Sequence, residues 1–110
     1  MFGENVSASE EDQKLADLRL ITTRKYELKP LVEAALANEL RLTEAGIRAT
    51  EQRILNFEKK YQLGSRDFIR RYENNEMEET LDLGEWIGEF RLLERLREKA
   101  YTLKDIQFAN

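Results

Sequence analysis

Apolar and polar positions follow a helical period along most of this chain. Between Pro30 and about Gln62, Leu40, Ile47, Ile54 and Tyr61 recur every seven residues, and Leu36, Thr43, Thr50 and Phe57 fill the second seam position of the same heptads. An a/d stripe of that kind predicts one long, coiled-coil-like helix with two Thr in the middle of its seam. A second stripe of smaller side chains, Leu31, Ala35, Asn38, Leu42, Ala45 and Ala49, runs beside it, with Gly46 between the two. Small residues let another helix approach closely, so two stripes predict a helix with more than one buried face. About 33 residues of helix span ~50 Å, whereas a compact chain of this length has a radius of gyration of about 13 Å. The helix therefore either kinks at Gly46 or overhangs and is covered by self-association. A homodimer along the seam Leu36, Leu40, Thr43, Ile47, Thr50, Ile54, Phe57 and Tyr61 is the expectation.

The punctuation places two further helices. Lys29-Pro30 is a start signal, because a proline in the first turn removes an N–H that has no partner there anyway. Leu63-Gly64-Ser65 is a stop: Gly64 suits the left-handed residue past a helix end, and Ser65 can cap the next helix with Asp67 in its first turn. That helix is short, with Phe68, Ile69 and Tyr72 on its apolar face, and Glu73 to Glu76 closes it in a polar turn. A third helix begins near Asp82, where Asp82 and Glu85 have capping-box spacing. Leu83, Trp86, Ile87, Phe90, Leu93, Leu96 and Ala100 form its broad apolar face. After Tyr101, Leu103, Ile106 and Phe108 are expected to dock back on the body. Residues 1 to about 14 are polar and without period, and predict a mobile tail. From Leu18 to Leu28 the pattern fits either a short helix or an extended arm. The predicted fold is all-α, a long helix–short helix–long helix hairpin or open bundle. It comprises an arm over 1–27 and a single helical domain over 28–110.

Composition narrows the chemistry. The chain has 110 residues, 36% charged and 41% apolar, with one Pro and five Gly, which suits one helical domain rather than a loop-rich or disordered chain. With no Cys there is no disulfide and no thiolate chemistry. With no His the commonest general base and transition-metal ligand are missing. The longest apolar run, Ala34 to Ala37, is too short to span a membrane or form a signal core, and the cytoplasm is the default location. A net charge of −4 demotes indiscriminate binding to nucleic acid or anionic lipid and favours a basic partner.

Asp82, Glu85 and Glu89 share a helix face within the cluster Glu76, Glu78, Glu79, Asp82, Glu85 and Glu89. Carboxylates so placed would hold Mg²⁺ or Mn²⁺. Metal-binding bundles of carboxylates add His, however, and capping, dipole compensation and solvation account for every one of these residues. No cofactor and no metal are expected, and no catalytic set is present. The arginines Arg66, Arg70 and Arg71, with Arg91, Arg95 and Arg97, suit phosphates or a partner's carboxylates. A solvated face with local pairs such as Glu44–Arg48 and Glu94–Arg97 explains most of them. Trp86 and Phe90, with Phe57, Tyr61, Phe68 and Tyr72, have the spacing of core aromatics, although Trp and Tyr also anchor interfaces.

The segment from Leu31 to Ile106 resembles a family of small prokaryotic helical proteins often encoded beside toxin-like genes. The resemblance rests on Phe57-Glu58-Lys59-Lys60-Tyr61 at a helix end and on the Gly64-Ser65 turn before Asp67-Phe68. It continues in the acidic loop and the Trp-centred helix carrying Asp82, Glu85, Trp86, Glu89 and Leu93. It implies an antitoxin-like protein that binds a toxin, commonly an RNase or nucleotidyltransferase-like protein, and blocks its active site. The expected function is thus a non-enzymatic interaction module acting by occlusion. Its partner surface is expected at Asp82, Glu85, Trp86, Glu89 and Phe90. A nucleic-acid-binding regulatory factor using Arg66 to Arg71 and a homodimeric scaffold are the alternatives.

Overall fold

A computed structural model describes residues 17–109. The mobile tail expected for residues 1 to about 14 lies outside the described residues. Three helices and no strand occur among the described residues: α1 (Leu28–Tyr61), α2 (Ser65–Glu73) and α3 (Leu81–Asp105). The all-α, long–short–long order is therefore correct. The chain divides into two units, Met1–Val32 and Glu33–Asn110. No described helix is long and apolar enough to cross a membrane.

In the first unit, residues 17–22 form no helix, which removes the short-helix reading of that stretch. Residues 23–26 bend, held by the Arg24 N–H donating to Thr22 Oγ1 at 3.0 Å and the Tyr26 N–H donating to the Arg24 carbonyl at 3.0 Å. Ile21, Thr22 and Thr23 are β-branched, which disfavours continuing a helix backwards from Leu28. α1 then begins with Pro30 in its first turn.

In the second unit α1 runs unbroken through Gly46 and pairs antiparallel with α3. The heptad stripe is the face it buries: Thr43, Thr50 and Ile54 are buried, and Leu36, Leu40, Ile47 and Phe57 are half-buried. The seam expected to meet a sister helix is thus occupied, from Gly46 to Tyr61, by α3 of the same chain. Phe57 and Tyr61 stack on Trp86, and a Cβ added at Gly46 would meet Leu96 Cδ1 at 3.5 Å. Both seam threonines satisfy their hydroxyls within α1. Thr43 Oγ1 donates to the Glu39 carbonyl at 2.8 Å, and Thr50 Oγ1 accepts from Arg53 Nη2 at 3.2 Å. The second stripe is not buried: Leu31, Ala35, Asn38, Leu42, Ala45 and Ala49 are all exposed. The reason is a shortage of neighbours. α2 has nine residues, about 13 Å of helix at ~1.5 Å per residue, and α3 covers one face only.

Among the described residues one ion pair, Asp67–Arg70, lies within a helix, and the others cross the hairpin. Arg53–Glu89, Lys60–Asp82, Arg97–Glu51, Lys99–Glu39 and Lys104–Glu44 all join α1 to α3. Glu44 and Arg97, expected in local pairs with Arg48 and Glu94, belong to this set. The acids Glu39, Glu44 and Glu51 of α1 face the basic end of α3, and Arg53 and Lys60 face its acidic beginning. Each exposed pair contributes only about 0–1 kcal/mol. Their arrangement by sign nevertheless favours the antiparallel register, since a parallel pairing would set acid against acid.

The helix ends differ from the sequence expectation. Gln62, not Gly64, takes the left-handed conformation after α1, with φ of 50°. The Leu63 N–H then reaches back to the Glu58 carbonyl at 3.2 Å, and Leu63 packs on the core. That is the 6→1 bond and hydrophobic contact of a Schellman ending. Gly64 has φ −70° and ψ 150°. α2 ends the same way through Asn75, φ 59°, with the Glu76 N–H bonded to the Arg71 carbonyl at 2.8 Å. α3 is capped by Thr80, whose side chain accepts the Leu83 N–H at 3.2 Å, not by Asp82. It continues to Asp105, so Leu103 is helical and half-buried while Ile106 and Phe108 stay exposed.

Candidate functional site

The partner-binding set predicted from sequence, Asp82, Glu85, Trp86, Glu89 and Phe90, lies on the first three turns of α3. The fold gives its members different tasks. Trp86 has no exposed surface. Its indole stacks on Phe68 with ring centroids 3.8 Å apart, and on Phe57 and Tyr61 at 5.7 and 5.8 Å. Phe68, Leu83 and Ile87 complete this buried cluster, with Leu63, Ile69, Tyr72 and Met77 packed around it. All three helices meet here because α2 supplies Phe68 as the only large apolar side chain it can bury completely. Trp86 is therefore a core residue, and truncating it or Phe68 to Ala would cost about 3–5 kcal/mol.

A buried polar relay fixes the indole. Trp86 Nε1 donates to Ser65 Oγ at 2.9 Å, and Ser65 Oγ donates to Glu58 Oε2 at 2.7 Å. The Ser65 backbone N–H also donates to Glu58 Oε2, at 3.0 Å. Glu58 thus caps the N-terminus of α2 from the preceding helix, and Ser65 serves the tryptophan instead of acting as the cap.

Asp82 accepts hydrogen bonds from Lys60 Nζ and, at 2.7 Å, from Tyr61 Oη. The Lys60 and Tyr61 hydrogen bonds hold its carboxyl below the usual carboxylate range. The same contact raises Lys60 and Tyr61 above their ordinary values, in each case chiefly through the hydrogen bond to Asp82. Glu89 Oε2 accepts from Arg53 Nε at 2.9 Å, and its Oε1 is buried with no hydrogen-bond partner among the described residues. Asp82 and Glu89 are thus committed to the hairpin. Glu85 is exposed and makes no ion pair with a described residue. Among the described residues no group of three or more His, Cys, Asp or Glu side chains is placed to hold a metal ion.

Phe90 leads to a feature the sequence reading missed. It is half-buried and lies between two shallow hollows that share it and Arg66. The larger, about 620 Å³, is bounded by Ile54 and Leu55 of α1, Arg66 of α2, and Phe90, Leu93 and Arg97 of α3. The smaller, about 290 Å³, lies against Ile69 and Arg70 of α2. Together they form a groove where α2 stops covering the α1–α3 hairpin. Its floor is apolar, and its rim alternates in sign through Glu51–Arg97 and Asp67–Arg70. The available signal was Leu55, an apolar residue off the heptad stripe. Ser65, which lines the larger hollow, has its hydroxyl engaged by the Trp86 indole N–H and by Glu58. Among known proteins, no family model, curated protein or solved structure matches this chain.

Proposed function

We propose that this chain is a non-enzymatic, antitoxin-like interaction module that binds a partner protein and blocks it by occlusion. The observation that supports the reading is the groove around Phe90. It offers Leu55, Ile69 and Phe90 to solvent beside a helix end whose exposed carboxylates, Glu73, Glu76, Glu78, Glu79 and Glu85, make no ion pair with a described residue. An apolar groove flanked by negative charge suits a partner with an apolar anchor and a basic surround, because complementary fields speed encounter and the buried anchor sets affinity. Phe90 and Glu85 carry over from the predicted partner-binding set. Trp86, Asp82 and Glu89 act by holding the helix that presents them.

The test is co-expression with the product of the neighbouring gene, followed by co-purification of wild type and Phe90→Asp. A stoichiometric complex that Phe90→Asp weakens at least tenfold, with helicity unchanged by circular dichroism, is the expected result. Absence of any complex, or a complex indifferent both to Phe90→Asp and to Glu78→Lys/Glu79→Lys, would refute the reading.

A further inference from the structure

The described part of the arm before α1 presents large apolar side chains that are exposed. Leu18 is 83% exposed, Ile21 82% and Tyr26 67%. A single exposed Leu is ordinary, but several within nine residues on a segment with a defined conformation mark a contact surface. Residues 17–22 form no helix or strand, and the Tyr26 N–H donates to the Arg24 carbonyl in the turn that follows. Arg19, Arg24 and Lys25 alternate with the apolar residues, are exposed, and enter no ion pair with a described residue. A surface complementary to this segment is apolar and acidic.

The second unit carries a surface of that kind at its α2–α3 end. From Glu73 to Glu89 there are seven acidic residues and no Lys or Arg. Leu81 lies in the middle of that stretch at 81% exposure, with Met77 half-buried four residues before it. Leu81 is the first residue of α3 and points away from the core that Leu83 and Trp86 enter. The arm and the α2–α3 end are thus complementary in charge, and both expose leucine.

We propose that residues 18–26 are a docking arm that binds the α2–α3 end of a second copy of this chain. Leu18, Ile21 and Tyr26 pack beside Leu81 and Met77, while Arg24 and Lys25 approach Glu78 and Glu79. A two-fold arrangement forms the contact twice, so two modest interactions act together as one interface. The inference shares Glu78 and Glu79 with the surround of the groove at Phe90 and is told apart from that reading because it is tested on the purified chain alone.

The experiment is light scattering and sedimentation of the full chain across concentration, at low and high salt. A dimer whose affinity falls about tenfold or more as salt rises is expected, since the facing charges are solvent-exposed and screened. Leu18→Asp/Ile21→Asp should give a monomer with unchanged helical circular dichroism, because those side chains support nothing in the helices. Arg24→Glu/Lys25→Glu and Glu78→Lys/Glu79→Lys should each weaken the dimer at least tenfold, and mixing the two variants should restore it. A monomer under every condition overturns the proposal, as does a dimer that the arm substitutions leave intact or charge reversals that fail to rescue one another.

Discussion

Trp86 and Ser65, 21 residues apart in sequence, are joined by a hydrogen bond of 2.9 Å in which the buried indole N–H donates to the serine hydroxyl. The hydroxyl passes its own proton toward Glu58, which also accepts the Ser65 N–H. One small side chain therefore satisfies the sole tryptophan of the chain and ties α2 to the end of α1. A buried indole N–H without an acceptor would pay the full desolvation penalty.

Ser65→Ala should therefore cost about 1–3 kcal/mol, since it orphans the indole N–H and takes one donor from Glu58. Urea unfolding followed by Trp86 fluorescence measures it directly. An unchanged midpoint would mean that the relay adds nothing to stability.

Asp82 makes stability depend on pH at both ends. Its folded carboxyl is held below the ordinary value near 3.8, so its contribution is present above that value and is lost as pH falls through the folded pKa. Lys60 and Tyr61 are raised above 10.5 and 10.0, so their contribution is present below those values and is lost as pH rises through the folded ones. Asp82→Asn should lower the urea midpoint at neutral pH and converge with wild type in strong acid. A gap that is the same at neutral and acid pH would refute the account.

Gly46→Ala should stabilise the protein by about 1 kcal/mol through helix propensity alone. The new methyl meets Leu96 at 3.5 Å, an ordinary contact, and α1 is continuous helix on both sides. Thermal unfolding reads the gain, and a lower midpoint would show that the α1–α3 approach at Gly46 is closer than that distance implies.

Thr50→Val should be neutral or stabilising by up to about 1 kcal/mol. Thr50 is buried, its hydroxyl accepts from Arg53, and Arg53 keeps Glu89 as a partner. A loss above about 1 kcal/mol by chemical denaturation would assign Thr50 a specific role in the seam.

The legible part of the fold was the part written in local code. The heptads of α1 and the apolar face around Trp86 gave two long helices, and Pro30 and the Leu63–Ser65 break placed the boundaries within a residue or two. The helix ends were misassigned to Gly64 and Asp82, although Leu63 and Thr80 carried the signals: an apolar residue just past the end, and a hydroxyl just before the start. The candidate site was legible only as a neighbourhood. Asp82, Trp86 and Glu89 share a helix face with Glu85 and Phe90 to within a turn, but their partners Lys60, Tyr61, Ser65 and Arg53 come from elements far away in sequence.

By itself the sequence determined the all-α class, the helix order and the angular position of each apolar residue, because a period of 3.6 follows from backbone hydrogen bonding within one segment. It could not determine what stands opposite each face. Burial is non-directional, so the seam from Leu36 to Tyr61 suited a sister helix as well as α3, and the alanines of the second stripe suited solvent as well as a neighbour. Only the tertiary structure decided these points. It placed α3 on the seam and Trp86 in the core. It also committed Asp82 and Glu89 to the hairpin, leaving Phe90 as the apolar floor of an open groove.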